Sequence, residues 1–362
     1  MLKKLDWYIL KKFYTTFFFA ILLLTFITVV IDISEKADDF VKSGLTTGQI
    51  IRQYYFGFIP HIVSMLFPLF VFISVIFFTS KMAGRSEIVA ILASGTAFTR
   101  FLRPYWVGAI SLAILLWLSY RYVTPAANRL RTTFQARYID NNALQNNGNS
   151  GTLYFRNDSI HYGQLNYFDT ATKRGSGFVL QKVVNNKLVE NIRAEGLAWD
   201  TSKNKWRLES VVIYNMDSDR QSIRQMDTLL IKLNFKPAEF KKSEYTKDIL
   251  KTPELVDLIN KETLRGAEGL NDLKVERYRR DATPFSLLIL TLIGVSMASR
   301  KVRGGSGLHI AIGIVTAALF ILTDRFSTIF STKGSFPPML AAWTPNLIFI
   351  FVAVYVFVRS PK

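Results

Sequence analysis

The sequence predicts an α-helical membrane protein with six transmembrane helices and an inserted all-β, jelly-roll-like domain between helices three and four. Three observations predict it. Apolar runs occur at 13–33, 54–79 and 105–123, and again at 284–298, 308–329 and 340–358. Polar, strand-like sequence separates the two groups, and basic residues gather in alternate loops. About 20 mostly apolar residues cross the hydrocarbon core, and most of these runs reach that length.

Composition fits a divided chain. The 362 residues are 49% hydrophobic and 14% aromatic, yet the polar middle holds mean hydropathy to +0.19. A net charge of +18 on a soluble protein would point to nucleic acid. Here the positions point to a membrane and no nucleic acid. Lys3, Lys4, Lys11 and Lys12 precede the first run, and Lys81, Arg85, Arg100 and Arg103 lie between the second and third. Arg300, Lys301 and Arg303 lie between the fourth and fifth, and Arg359 and Lys362 follow the sixth. By the positive-inside rule these loops and both termini face the cytoplasm, and the insert faces the other side. Its own Lys and Arg do not oppose this, because long domains translocate largely regardless of charge. Cysteine is absent, which excludes disulfides, iron–sulfur centres and thiol catalysis. The first run is too long for a signal peptide and continues into Ile31-Asp32-Ile33-Ser34 without a small-residue cleavage site.

In order, residues 1–123 read as the first membrane half, 124–280 as the β domain with flanking helices, and 281–362 as the second membrane half. The opening Leu5-Asp6-Trp7-Tyr8-Ile9 reads as an interfacial helix with Trp7 and Tyr8 at headgroup depth. Pro60 and Pro68 predict kinks or local unwinding in span two. Residues 85–95 predict a short amphipathic helix at the cytoplasmic surface: Ser86 as cap, Glu87 at the positive dipole end, Ile88, Ile91 and Leu92 at helical spacing, Gly95 as terminator. Residues 126–139 extend span three as a helix, and an Asn-rich break at 141–149 ends it. Strands are expected at 152–156, 159–168, 177–184, 187–198, 205–214 and 223–235, separated by turns such as Val184-Asn185-Asn186. Their alternating apolar faces suit either an ordinary sandwich core or a greasy slot between two sheets. Thr252-Pro253-Glu254 then starts a helix, and a second helix at 273–280 leads into span four.

Motifs for chemistry are few. No Gly-Lys dipeptide occurs, so a phosphate-binding Walker loop is impossible and any ATP hydrolysis belongs to another chain. His61, His161 and His309 are scattered, which argues against a metal centre. Gly304-Gly305-Ser306-Gly307 with His309 matches the serine motif of intramembrane proteases, but it follows Arg300-Lys301-Val302-Arg303 in a polar turn and also reads as a flexible glycine-rich loop.

The order of these segments resembles the lipopolysaccharide-export permeases, the F and G subunits of the Lpt exporter (LptF/LptG, or YjgP/YjgQ, family). The resemblance covers essentially the whole chain. It is carried by Leu5-Asp6-Trp7-Tyr8-Ile9, by Arg85-Ser86-Glu87-Ile88-Val89 with Ala93-Ser94-Gly95, by Tyr278-Arg279-Arg280-Asp281-Ala282-Thr283-Pro284, and by Pro337-Pro338 with Trp343-Thr344-Pro345-Asn346. The first two fragments look more like the G subunit. The resemblance implies a non-catalytic half-transporter in the inner membrane of a Gram-negative bacterium, with its β domain in the periplasm. It would pair with a paralogous permease or a second copy. A cytoplasmic ATPase dimer, using ATP and Mg, would bind the surface helix, and this chain itself would hold no cofactor. Lipopolysaccharide would enter sideways from the membrane lipids into a cavity lined by spans one, two and five, and pass through the β domain to a jelly-roll bridge protein.

On this reading Arg85, Ser86, Glu87, Ile88, Ile91 and Leu92 couple to the ATPase. Lys36, Lys42, Arg52 and Arg325 fall at the outer rim, where Lys or Arg can pair with phosphate. Lys36 could instead pair with Glu35 or Asp39, and Arg325 with Asp324. Two other functions compete: a non-transporting anchor whose β domain binds a partner protein, and an intramembrane serine protease.

Overall fold

A computed structural model describes residues 3–139, 148–149, 152–169, 172–216, 222–237, 246–265, 269–300 and 306–360. Six of its helices are long and apolar enough to cross a membrane: α1 (Lys4–Glu35), α3 (Thr47–Gly84), α5 (Phe98–Ile139), α8 (Leu270–Ala298), α9 (Ser306–Thr332) and α10 (Pro338–Val358). Short helices α2 (Ala37–Lys42), α4 (Glu87–Ala93), α6 (Thr246–Ile249) and α7 (Thr252–Arg265) lie between them. The chain divides into two compact units. One comprises Met1–Phe134, Lys247–Thr252 and Asn271–Lys362; the other comprises Gln135–Thr246 and Pro253–Leu270. The first turns of α8 go with the membrane unit because Arg280 donates to the carbonyls of Leu250, at 2.9 Å, and Lys247, at 2.8 Å. α6 is held further by Asn128 Nδ2, 3.0 Å from the carbonyl of Asp248.

In the membrane unit α3 is central. One face packs Phe67, Phe70 and Phe78 against Phe13 and Phe17 of α1 and Tyr105 of α5. The other packs Phe72 and Ile76 against Leu290 and Ile293 of α8 and Phe349 of α10. Small residues set the approach between spans. A Cβ on Gly57 would lie 2.5 Å from the Ala127 carbonyl oxygen, and one on Gly108 would lie 2.4 Å from the Phe13 ring. The most apolar stretches of α1 and α9 are only 11% and 17% buried, against 61% for α3 and α8. These two spans therefore present the most apolar surface to whatever surrounds the chain.

α3 runs unbroken through Pro60 and Pro68 from Phe56 to Gly84. Proline at 68 removes the amide that would bond the carbonyl of Ser64, and the Tyr120 hydroxyl donates to that carbonyl at 3.2 Å. A π-helical turn at Ile51–Tyr55 follows the first turn of the span.

The second unit is one antiparallel sheet. Its strands are β1 (Gly148–Asn149), β2 (Leu153–Arg156), β3 (His161–Asp169), β4 (Arg174–Val184), β5 (Lys187–Asp200), β6 (Lys205–Asn215) and β7 (Ser222–Ile231). Pairing follows chain order from β3 to β7, with β1 and β2 both on β3. From β3 onward each described strand thus pairs with its neighbour in the chain. Asn185-Asn186, both at positive φ, make the two-residue hairpin between β4 and β5.

The pairing skips one position in every strand from β3 to β7, at Asn166, Gly177, Glu195, Ser210 and Asp227. Gly177 (φ 69°) and Ser210 (φ 54°) supply the left-handed backbone. The skip lets residues three apart face inward, as Leu165 with Phe168 and Leu208 with Val211 do. This crease bends the sheet, and the chain after β7 meets β2: Asn234 Nδ2 donates to the Asn157 carbonyl at 2.6 Å, and the Phe235 ring lies 4.6 Å from Phe155. Trp206, fully buried, donates from Nε1 to the Phe235 carbonyl at 2.9 Å. Aromatic side chains and aliphatic ones such as Leu165, Leu197 and Leu208 fill the inner face together.

Candidate functional site

The far end of the first spans, reached at the C-terminus of α1, carries a closed polar network. Asp32 is 5% exposed and accepts from two tyrosines adjacent in sequence. Tyr54 OH lies 3.1 Å from Oδ1 and Tyr55 OH lies 3.0 Å from Oδ2. Successive side chains on an α-helix diverge by about 100°. The π turn that holds both tyrosines changes that spacing, and both hydroxyls reach one carboxylate. Lys36, one turn beyond Asp32, pairs with the same carboxylate and with the Tyr54 hydroxyl. Its ammonium also stands 4.9 Å over the Tyr54 ring. Phe40 of α2 packs edge-on against both tyrosines at 5.6 and 6.1 Å.

Of the four rim cations, Lys36 alone is brought against another span, and its partner is Asp32 rather than Glu35 or Asp39. Lys42, Arg52 and Arg325 are exposed, and among the described residues they pair with nothing. Asp324 does not hold Arg325, because Arg279 takes it at 3.3 Å.

At the opposite end, α4 sits on the bundle. Ile88 is 1% exposed in the core that contains Phe13 and Tyr105, and Ile91 and Leu92 pack against the same core. These apolar side chains fill the chain's own bundle. The outward face consists of Arg85, Val89, Ala90 and Ala93. Ser86 does not cap the helix: its φ of 58° is left-handed, and a capping hydroxyl needs an extended backbone to aim at the helix amides. Gly95, at φ 83°, ends α4 as expected of a left-handed terminator. Glu87 accepts from Lys12 Nζ at 3.1 Å and from Tyr8 OH at 3.0 Å, whereas Arg85 stands 3.9 Å away.

The family described as "Lipopolysaccharide export system permease LptF/LptG" matches residues 7–359. The chain belongs to the LptF/LptG permease family. Among its relatives is "Lipopolysaccharide export system permease protein LptG" of Escherichia coli (strain K12), 19% identical, with 98% of each chain covered. The protein of that name from E. coli O6:H1 (strain CFT073 / ATCC 700928 / UPEC) matches to the same extent. As an LptF/LptG permease with six apolar spans, this is a multi-pass inner-membrane protein. Residues 301–305, which hold the start of the protease-like motif, lie outside the described residues, as do residues 141–147 of the Asn-rich break.

Sequence reading of this LptF/LptG chain missed Asp32, Tyr54 and Tyr55 as one unit. A carboxylate inside an apolar run was the available signal. It also missed that Asp6, 2% exposed, is held by Arg100 through two contacts of 2.7 Å. Nothing in the local sequence joins positions so far apart in the chain.

Proposed function

We propose that this chain is a permease subunit of an ATP-driven exporter that extracts lipopolysaccharide from the inner membrane. One observation carries the coupling part of this reading: a short helix, α4, is anchored on the spans by Ile88 and leaves Arg85, Val89 and Ala93 exposed. An anchored helix with a free outer face is what a separate ATPase would need to push on. The termini and α4 would face the cytoplasm and the β unit the periplasm, as the basic loops require. Lys42, Arg52 and Arg325, which pair with nothing among the described residues, are the rim residues proposed to meet lipid phosphates. A paralogous permease, an ATPase dimer and a β-rich bridge protein complete the assembly. ATP and Mg are used by the ATPase, and this chain holds no cofactor.

The test is co-purification. The full chain is expressed with its candidate paralogue and ATPase, and wild type is compared with Arg85→Ala and Glu87→Ala. A stable complex with ATPase activity that the substitutions weaken supports the exporter. Failure of wild type to recruit any ATPase, with the membrane unit still folded, would leave the anchor function as the better account.

A further inference from the structure

The first turns of α1 and the loop that carries α4 are joined by two separate charge clusters. Asp6 lies in the first turn of α1 and is 2% exposed. Arg100, beyond α4, meets both its oxygens at 2.7 Å, a planar two-point contact that fixes orientation as well as distance. The same carboxylate accepts from the Lys3 amide at 2.7 Å, so it is locked to its own helix start. At the first residue of α4, Glu87 receives Lys12 and Tyr8, which lie four residues apart on one face of α1. Between the two clusters Ile88 is buried against the core that includes Ile9 and Phe13. One cluster therefore stands at the start of α4 and the other beyond its end, with the apolar anchor Ile88 between them in the chain.

We infer that Asp6, Lys12, Glu87 and Arg100 are positioning residues that clamp α4 to α1, so that the surface helix and span one move as one body. The inference rests on the exporter reading for its purpose, since only a driven helix has motion to transmit. The Glu87 carboxylate holds α1, and the exposed face around Arg85 and Val89 is left for the partner. A push on α4 is then delivered to α1, whose most apolar stretch is only 11% buried.

The test uses the full chain assembled with its paralogue and ATPase, reading lipid released per ATP hydrolysed. Lys12→Ala and Arg100→Gln should assemble normally but lower that ratio about fivefold or more. Arg100→Lys should retain most of it, and the exchange Lys12→Glu with Glu87→Lys should recover what either single change loses. An unchanged ratio in both Lys12→Ala and Arg100→Gln, or an exchange that restores nothing although both singles fold, overturns the clamp. A second readout needs no ATPase. Because the chain has no cysteine, spin labels on Lys11→Cys and Ala93→Cys, both exposed sites, report the α1–α4 distance directly. Wild type should give one narrow distribution, and the Lys12→Ala, Arg100→Gln pair a broad one. If wild type recruits no ATPase, the exporter reading fails while the label distances still decide the clamp; equal widths overturn it.

Discussion

Ser327 of α9 donates its hydroxyl to the carbonyl of Ala341 in α10 at 2.8 Å. That carbonyl is the one Pro345 deprives of its helical amide, four residues on. Tyr120 does the same for Ser64 below Pro68. In hydrocarbon an unmet carbonyl has no water to turn to, so a neighbouring span must supply the donor. Ser327→Ala should therefore destabilise the solubilised protein by about 1–3 kcal/mol. Pro345→Ala restores the amide, and in that background the serine should matter much less. Equal losses of thermal stability in both backgrounds would show that the hydroxyl does something else.

Lys36 and Arg325 should separate by what they lose. Lys36 completes a buried network with Asp32 and Tyr54. Its removal leaves a carboxylate short of its cation, and Lys36→Ala should cost about 2–3 kcal/mol of stability. Arg325 is exposed and unpaired among the described residues. Arg325→Ala should stay within about 0.5 kcal/mol of wild type but bind lipopolysaccharide less tightly. Thermal melts and a lipid-binding titration on the two variants check this; a stable Lys36→Ala would mean that Asp32 is satisfied by the tyrosines alone.

What was legible in the sequence was whatever depends on near neighbours. Run length placed the spans, and Asn185-Asn186 marked a hairpin that both residues' positive φ confirms. Helical spacing gave α4 an apolar face, but spacing cannot say which surface that face meets, and Ile88 turned out to fill its own bundle. The crease at Gly177 and Ser210 was hidden because a skipped pairing is a relation between strands, and a serine at positive φ carries no local mark. Asp32 with Tyr54 and Tyr55 needed a π turn to bring them together, and no composition rule announces one.

Gly57 marks a close backbone approach between α3 and α5. An added methyl group would meet the Ala127 carbonyl oxygen at 2.5 Å and the Arg131 amide at 2.7 Å. Both are backbone atoms, so no side chain can rotate away. Gly57→Ala should force the spans apart and cost about 1–3 kcal/mol. Gly84→Ala, with nothing within 4 Å of the new methyl, is the matched control and should be neutral or slightly stabilising. Comparable melting temperatures for the two variants would mean that α5 is free to shift.

Asp248, on α6 outside the spans, gives the chain a pH dependence of definite sign. Burial, with the Glu276 carboxylate nearby, pushes its carboxyl up to about 6, against the opposing pull of Lys247, Arg131 and Arg280. The folded protein thus holds this proton more tightly than the unfolded chain, where the ordinary value is 3.8. Between these values folding takes up a proton, so this contribution falls as pH rises. It is present in full below the ordinary value and gone above the raised one. Asp248→Asn, which cannot ionise, should therefore match wild type near about pH 4 and become the more stable of the two as pH passes about 6. Melting temperatures of both proteins across that range decide it. A constant difference would mean that Asp248 titrates alike in the folded and unfolded chains, and that α6 leaves its carboxyl in water.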